Sequence, residues 1–545
     1  MVEALRRLIM PPVFFAWLGV GLILLPLIPG VLLLLLPATS IDVWQEVFTD
    51  PQIPKALAVT IFSALASTLL ALLIASWTMM RFYPSKRWTN LQKQTPLFLA
   101  FPHAAFAIGV ALLFAPSGWL ARLLSIPFDW MSPPQWVTIQ DSWGISLTLV
   151  LALKESWFLL WVMFSLPGMQ HIQNQITQAQ TMGYARKQIW WQLVFPQVIP
   201  KLPWALLAVF AYSLSVVDMA IILGPSTPPT LAVLGWQWFA DFDPLQHDKA
   251  SVVSFMLLIL LLAGFLLGWF LLKAYRLITS APSGVRKAQK SSPKWLSSNV
   301  SFPITASKTI TFFAAIILVL WSFAGSWFFP DLFPQSFNLS SWQKSDFSPL
   351  WLTLWLALAS VCIALPIALL WLEWGPKQQA WLYFPLILPP LTLAAAQFEV
   401  LLRINLDNTV TGVIWTHLAW VLPYMILVLA GSYRAFDERY TLRAQTLGYS
   451  SWEACLRVKW PMLIRPILAA CAVGFAVSVS QYLPTLFAGG GRFETVTTEA
   501  VALSAGGNRR ILAIQALLQA LLPMIGFMCA TIAGLLLVRN RKGMQ

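Results

Sequence analysis

Charged residues are scarce in this sequence. Asp, Glu, Lys and Arg together supply only 10% of the 545 residues, whereas 58% are hydrophobic. So few polar side chains leave too little polar surface to cover a soluble globule of this length. The composition therefore excludes an ordinary soluble protein and predicts that a lipid bilayer surrounds much of the chain.

Signatures of catalysis and metal binding are also missing. The sequence contains no GxxxxGK(S/T) phosphate loop, no HExxH and no nucleophile elbow. Its cysteines and histidines are scattered, without the paired spacing of a disulfide framework or a metal site. We therefore predict no catalytic residue, cofactor or metal, and expect energy to come from a partner or an ion gradient. These scattered residues are Cys362, Cys455, Cys471, Cys529, His103, His171, His247 and His417.

No basic domain accompanies the net charge of +14. The basic residues lie in short loops between apolar segments, which argues against nucleic-acid binding and fits the loops of a membrane protein. The apolar segments repeatedly reach the ~20 residues that a helix needs to cross a bilayer. They predict an all-α polytopic protein whose twelve spans cover residues 13–37, 57–80, 95–115, 145–167, 200–224, 252–276, 308–330, 350–372, 382–402, 410–433, 464–487 and 511–538.

Loop charge predicts the orientation, because Lys and Arg of short loops remain in the cytoplasm. If the spans alternate, most such residues fall on one side and most acidic loop residues on the other, with Arg509 and Arg510 as exceptions. We expect a bacterial inner-membrane protein with both termini in the cytoplasm. The basic side carries Arg6, Arg7, Arg81, Lys86, Arg87, Lys93, Arg539, Arg541 and Lys542, and the acidic side carries Asp42, Glu46, Asp50, Asp129, Asp241, Asp243 and Asp331.

A polar segment divides the predicted spans into two sets of six. It is rich in Ser, Pro and basic residues, which is typical of a linker. We predict a first transmembrane domain at residues 1–280, a basic cytoplasmic linker at 281–307 and a second transmembrane domain at 308–545. The linker bases are Arg286, Lys287, Lys290 and Lys294.

The two predicted domains are duplicates. AQTMGY at Ala179–Tyr184 recurs as AQTLGY at Ala444–Tyr449, and each glycine is followed thirteen residues later by a proline, Pro196 or Pro461. Earlier, TIFSALASTLLALLIA from Thr60 matches TLWLALASVCIALPIA from Thr353, at a larger spacing. Such matches indicate a parallel internal repeat, with extra residues in the first copy before its fourth span.

Both AQT(M/L)GY segments fall in predicted cytoplasmic loops, at residues 168–199 and 434–463. We call these the Ala-Gly-Pro loops. Each is expected to hold a short helix, a glycine that ends it, a second short helix, and a proline where the next span begins. A plain connector between spans is the alternative interpretation.

This pattern resembles the EAA loop of the permease subunits of binding-protein-dependent ABC importers. In that family the loop forms a coupling helix seated in a groove of the ATPase subunit, and two copies in one chain resemble the fused permeases of the thiamine and ferric-iron type. The family's leading Glu-Ala is replaced here by Thr177-Gln178 and Leu442-Arg443. The resemblance implies a type I importer fold, a periplasmic substrate-binding protein, and two copies of an ATPase subunit docked at Ala179, Gly183, Pro196, Ala444, Gly448 and Pro461.

Ionisable residues within predicted spans are costly and point to function. Asp218 in the fifth span is the leading candidate for the translocation path. A structural role is the alternative for the others, with Lys154 and Glu155 pairing with other helices and Glu399 pairing with Arg403. The candidates are Lys154, Glu155, Asp218, Glu399 and His417.

Two matched pairs of small polar residues also lie in equivalent spans, Ser213 with Ser215 and Ser478 with Ser480. The family resemblance implies that these helices line the path, whereas close helix packing is the alternative. The following outward loops, at Thr230-Leu231 and Thr495-Val496, are candidates for receiving the binding protein.

Two other classes share some of these features. An ion-coupled secondary transporter with six plus six helices has the same length and repeat, but does not need paired ATPase-docking loops. A membrane enzyme acting on lipid-linked substrates would carry a cluster of catalytic residues in a large loop, and the outer loops are chemically sparse. The acidic residues within spans favour a cationic or polar solute such as thiamine, a polyamine or ferric iron, and an oxyanion stays open.

Overall fold

A computed structural model describes residues 12–279, 301–376 and 380–539 of the chain. Helices form nearly all of the regular structure of these residues, and an isolated bridge pairs Ala324 with Phe337. Helices satisfy every backbone polar group within one segment, which an apolar run in lipid requires. The all-α prediction is confirmed. Eight basic residues used for orientation lie outside the described ranges: Arg6, Arg7, Arg286, Lys287, Lys290, Lys294, Arg541 and Lys542.

Within the described ranges, nine helices are long and apolar enough to cross a membrane, and the number is twelve if three bent helix pairs each count as one span. The predicted set of membrane helices is confirmed. In chain order the first to twelfth spans are Pro12–Leu34, Ile53–Phe82, His103–Phe128, Ile145–Phe164, Arg186–Lys201 with Pro203–Ser215, Pro244–Leu277, Phe302–Phe323, Ser348–Trp374, Ala380–Ile387 with Pro390–Arg403, Val410–Arg434, Ser451–Met462 with Ile464–Val479, and Arg509–Leu537.

Shorter helices connect the spans. Several of them are amphipathic or polar, which suits the ends of a membrane protein better than its lipid-facing middle. Their bounds are Ile41–Thr49, Lys86–Ala100, Met169–Thr181, Asp218–Leu223, Leu231–Phe239, Ser340–Lys344, Arg439–Thr446, Leu483–Gly489 and Val496–Ser504.

The duplication extends to the boundaries of the helices. The repeat has a spacing of 265 residues between Ala179 and Ala444. Five helices of the first half begin at residues 186, 203, 218, 231 and 244, and the same spacing predicts helix starts at 451, 468, 483, 496 and 509. Four of these five positions begin a helix of the second half. The exception is the helix that begins at Ile464. Before the fourth and tenth spans the spacing changes, because residues 115–144 of the first half correspond to only residues 404–409 of the second. This is where the sequence predicted extra residues.

Three of the predicted spans are bent or broken. The fifth span bends by 64° before Pro203, the ninth by 103° before Pro390, and the eleventh by 79° before Ile464. The fifth also ends at Ser215, before its predicted end at residue 224, and the eleventh ends at Val479. Proline is tolerated in the first turn of a new helix but not within a continuing one, which explains the first two bends.

The first span of each half packs against the other half. The first span lies on the eighth and ninth spans, and the seventh lies on the third. A Cβ atom added to Gly30 would lie 2.4 Å from the carbonyl oxygen of Ala396, and one added to Gly109 would lie 2.8 Å from the Cβ atom of Ala314. Small residues allow this close approach of membrane helices. The two halves are therefore interlocked by an exchange of their first spans.

A matched hydrogen bond joins the second and eighth spans to later helices. The Oγ1 atom of Thr60 accepts a hydrogen bond from the backbone N–H of Leu231 at 2.8 Å, and Thr353 accepts one from Val496 at 3.0 Å. Both N–H groups lie in the first turn of a helix, where no intrahelical acceptor exists. In each half, the second span of that half therefore holds the start of a later helix, the one that begins at Leu231 or at Val496.

Candidate functional site

The two Ala-Gly-Pro loops have the same backbone geometry. Gly183 has φ +83° and Gly448 has φ +94°. The N–H of Tyr184 bonds to the carbonyl of Ala179, as Tyr449 does to Ala444. Each glycine N–H bonds to the residue after that alanine, which completes a Schellman motif with glycine in the left-handed position. The repeated alanine and glycine therefore encode one specific helix ending.

An exposed apolar side chain precedes each of these glycines. Met182 is 68% exposed and Leu447 is 80% exposed, and they occupy equivalent positions of the repeat. Both side chains are therefore accessible to a partner protein at a turn of fixed backbone geometry. The first short helices, Met169–Thr181 and Arg439–Thr446, and the glycines are as the sequence predicted.

The prolines of the loops lie in a different place from the one predicted. Pro196 belongs to the helix Phe195–Val198 and Pro461 to Trp460–Met462, each directly after a π-helical turn. The long helical segments begin only after the following bend, at residues 203 and 464. The prediction that each span begins at the proline is therefore wrong, because Pro196 and Pro461 lie within the first segments, Arg186–Lys201 and Ser451–Met462, of the bent fifth and eleventh spans.

The second loop opens with a local ion pair. The Nη2 atom of Arg439 lies 2.7 Å from Oδ2 of Asp437, and the Arg439 backbone N–H also donates to this carboxylate. Hydrogen bonds from Arg439 lower the pKa of Asp437. Because both side chains are well exposed, the pair orders the entry to the helix and adds little stability.

The two charges in the fourth span have partners in other helices, as the structural alternative predicted. Lys154 is buried, and its Nζ atom donates to the carbonyls of Phe98, at 2.6 Å, and Phe101. These carbonyls end the helix Lys86–Ala100, where a cation is favoured by the helix dipole. Lys154 is thus accounted for by structure.

Glu155 instead faces a group of polar side chains that we call the central cluster. Its Oε1 atom lies 3.0 Å from Nε2 of His103, whose ring lies 4.9 Å from that of Tyr212. Among the described residues, Asp218 lies within electrostatic range of His103 and of Tyr482, and Glu155 within range of Tyr424, without a direct hydrogen bond in any of these pairs. The cluster therefore combines both halves, and consists of His103, Glu155, Tyr212, Asp218, Tyr424 and Tyr482.

Helix breaks position this cluster. Asp218 begins the short helix that follows the fifth span, and Tyr482 directly precedes the equivalent helix after the eleventh. Backbone that leaves the helix at membrane depth is tolerated only where protein or a cavity surrounds it. The break of each half therefore brings one polar side chain toward the same central region.

His417 joins the two segments of the second break. It is 1% exposed, with Nδ1 2.8 Å from Oγ of Ser478 and Nε2 2.9 Å from Oγ1 of Thr485. Ser213, the equivalent of Ser478, is buried and has no hydrogen-bond partner for its Oγ atom among the described residues. The two matched serines therefore have different surroundings.

The remaining candidates are dispersed. The Oγ atom of Ser215 accepts a hydrogen bond from the N–H of Leu391 in the other half at 3.2 Å, and Ser480 donates to Ala476 of its own helix. Glu399 is half-buried, and no ion pair with Arg403 occurs in the described part of the chain. The predicted Glu399–Arg403 pair is wrong.

Sequence reasoning missed four members of the central cluster. In the sequence His103 is an isolated histidine, and no pattern distinguishes Tyr212, Tyr424 or Tyr482. These residues come together through the tertiary fold, since 52 residues separate His103 from Glu155. The repeat spacing is the one sequence feature that bears on this site, because it places the helix start at Asp218 opposite the helix start at Leu483.

Comparison with known proteins identifies the family. The chain is 40% identical over 534 residues to the inner membrane ABC transporter permease protein YnjC of Escherichia coli (strain K12). The aligned region covers 98% of each of the two chains. It is 23% identical over 474 residues to the thiamine transport system permease protein ThiP of the same organism, covering 84% of each. ThiP of Haemophilus influenzae is 22% identical over 473 residues, or 83% of this chain and 84% of that one.

No family model matches the chain. The match to YnjC nevertheless extends over 98% of this chain and 98% of that protein. The chain therefore belongs to the inner-membrane permease subunits of ABC transporters, and is the permease of an importer.

Proposed function

We propose that this one chain supplies both membrane halves of its importer and binds two copies of an ATPase subunit, one at each Ala-Gly-Pro loop. The observation that carries the proposal is the matched geometry of the loops. Gly183 and Gly448 both have positive φ, and each follows an exposed apolar side chain. Two equivalent turns on one chain provide two equivalent docking points, as a pair of identical ATPase subunits requires.

The proposed arrangement uses the two domains predicted from the sequence. Residues 1–280 and 308–545 each supply six spans, and the basic segment 281–307 connects them on the cytoplasmic side. Both termini lie in the cytoplasm with the Ala-Gly-Pro loops, and a periplasmic substrate-binding protein docks at the opposite face. The chain itself performs no catalysis, and ATP hydrolysis belongs to the partner subunits.

The proposed path for the solute passes through the central cluster. Glu155 and Asp218 supply carboxylates, and the aligned helix breaks bring residues of both halves together. The serine pairs Ser213 with Ser215 and Ser478 with Ser480 flank these breaks. Glu399 is the weakest candidate, since it lies outside the cluster. In this scheme ATP-driven closure of the ATPase pair rocks one half against the other and alternates access to the cluster.

The chemistry of the cluster favours a cationic or polar solute. Carboxylates attract cations, and aromatic rings stabilise organic cations through their faces. The more distant relatives named ThiP are thiamine transport permeases, which makes thiamine a reasonable first solute to test. The separate binding protein is expected to determine most of the specificity.

Affinity purification from the native membrane tests the proposed assembly. The detergent-solubilised chain should bring down a Walker-type ATPase at two copies per chain. A stable, monodisperse chain that never retains an ATPase, under conditions that preserve other transporters of this type, would defeat the proposal.

A further inference from the structure

The first Ala-Gly-Pro loop is fastened to the end of the second span. Nε of Arg186 donates to the carbonyl of Met80 at 2.9 Å, and Nη2 donates to the carbonyl of Tyr83 at 3.1 Å. Tyr83 returns the contact, because its hydroxyl donates to the carbonyl of Met169, at the start of the loop, at 2.6 Å. Carbonyls at a helix C-terminus have no intrahelical partner and favour a cation.

The second loop is fastened by an ion-pair network. Nζ of Lys459 lies 2.8 Å from Oε2 of Glu373 and 2.7 Å from Oε1 of Glu438, and its side chain is only 4% exposed. Glu373 is in the last turn of the eighth span, and Glu438 directly precedes the helix Arg439–Thr446. The hydroxyl of Tyr433 also donates to Glu373 at 2.7 Å. One lysine therefore connects the loop with the eighth span.

Both fastenings reach the same point of the repeat by different chemistry. The spacing that relates Thr60 to Thr353 also relates Met80 to Glu373. The residues that make the connections are not shared. The equivalents of Arg186, Lys459 and Glu438 are Ser451, Val194 and Gln173.

Stability alone does not explain the network of Lys459. Desolvating a buried ion pair costs about as much free energy as the pair returns, and apolar residues of similar volume often serve equally well. The first half has an apolar Met80 and Val194 at two of these positions. The two diverged copies thus both connect the loop to the same point of the span, through different side chains at different positions of the loop.

We propose that Arg186 and Lys459 are positioning residues that make each Ala-Gly-Pro loop move as one body with the second span of its own half. The connection continues along that span. Thr60 and Thr353 lie farther along the second and eighth spans and hold the helices beginning at Leu231 and Val496. Displacement of a loop therefore passes through the span to the helix that begins at Leu231 or Val496. This inference rests on the proposed docking of an ATPase at the loops.

The test removes the second fastening without leaving an unpaired charge. The triple variant Glu373→Met, Glu438→Gln and Lys459→Val replaces these residues by the ones at the equivalent positions of the first half. Adding Ser451→Arg then introduces the fastening of the first half at its equivalent position. The exposed loop residue Leu447 is unchanged in both variants, so we expect both to retain the ATPase.

Spin labels measure whether loop and span move together. They are placed by Leu456→Cys on the loop, beyond the first short helix, and by Trp351→Cys on the far end of the eighth span, both exposed positions, with the four native cysteines replaced. Distances are measured by pulsed electron resonance in the complete transporter with its ATPase, without nucleotide and after trapping with ATP and vanadate. We expect one narrow distance, unchanged by nucleotide, in the parent protein.

The triple variant should broaden this distance distribution and make it shift with nucleotide, and Ser451→Arg should restore the narrow one. A triple variant that matches the parent in both states would overturn the inference, as would a parent distance that changes with nucleotide. Loss of the ATPase from the parent protein is a separate outcome, which contradicts the proposed function. Retention of the ATPase with unaltered distances contradicts only the fastening.

Discussion

Gly109 of the third span lies against Ala314 of the seventh, so closely that a Cβ atom on Gly109 would be 2.8 Å from the Ala314 Cβ. The reciprocal contact exchanges the residue types, with Gly30 of the first span against Ala396 of the ninth. Gly109 and Ala396 each stand six residues after the start of their helices, His103 and Pro390. The two halves are therefore joined by a symmetric pair of close helix crossings.

Gly109→Ala should destabilise the protein. The added methyl group meets backbone and Cβ atoms of Ala314 that a side-chain rotation cannot clear, and such overpacking costs about 1–3 kcal/mol. Thermal unfolding in detergent should show a lower Tm. The matched control is Gly268→Ala, since a Cβ there meets nothing within 4 Å and alanine favours the helix. Equal Tm values for the two variants would argue against the close crossing.

Thr60→Val and Thr353→Val should have similar costs. Each removes the acceptor of a buried backbone N–H, of Leu231 or Val496, and an unsatisfied buried donor costs about 1–3 kcal/mol. Unfolding in detergent measures the effect. The control is Thr68→Val on the same span as Thr60, because among the described residues Thr68 bonds only to the carbonyl of Ala64 in its own helix. A Thr68→Val variant as unstable as the other two would contradict the matched hydrogen bonds.

His417→Leu should be destabilising and should couple to Ser478→Ala. Replacing His417 leaves the buried Oγ of Ser478 without its partner, at a cost of about 1–3 kcal/mol. Once Ser478→Ala has removed that hydroxyl, part of this cost disappears. A double-mutant cycle on the free energy of unfolding therefore yields a nonzero coupling energy. Additive changes in the free energy of unfolding would contradict the hydrogen bond between His417 and Ser478.

The duplicated register was the part of the fold that sequence predicted best. AQTMGY and AQTLGY carry the alanine and glycine of the Schellman motif within six residues, so the end of each short helix could be predicted from local sequence. The helix breaks after Ser215 and Val479 could not be predicted, because apolar residues continue on both sides of each break and hydropathy is therefore unchanged across it.

Long-range pairing limited the prediction of the candidate site. Lys154 and Glu155 were suspected of pairing with other helices, yet no local pattern points to Phe98, Phe101 or His103 as partners. Glu399 and Arg403 have the spacing of an intrahelical pair, but such spacing permits a contact without requiring one. Intramembrane polar contacts depend on which helix faces meet, and this follows from the packing of all twelve spans.

Cysteines introduced in the proposed path should react with a membrane-impermeant thiol reagent. With the four native cysteines replaced, Ser213→Cys and Ser478→Cys should be modified at rates that change when ATP and vanadate trap the transporter, because access to the path alternates. Leu262→Cys on the sixth span, 58% exposed on the outer surface of the helices, is the lipid-facing control and should not respond. No change at either serine position would remove these helices from the path.

The most direct test of the account counts ATPase subunits on variants of the two glycines. Proline cannot adopt the positive φ of Gly183 or Gly448, whereas asparagine tolerates it. Native mass spectrometry of the purified assembly should find two ATPase copies on the parent and on the asparagine variants, one copy on Gly183→Pro or Gly448→Pro, and none on the double proline variant. Two retained copies on a folded double proline variant would contradict docking at the Ala-Gly-Pro loops.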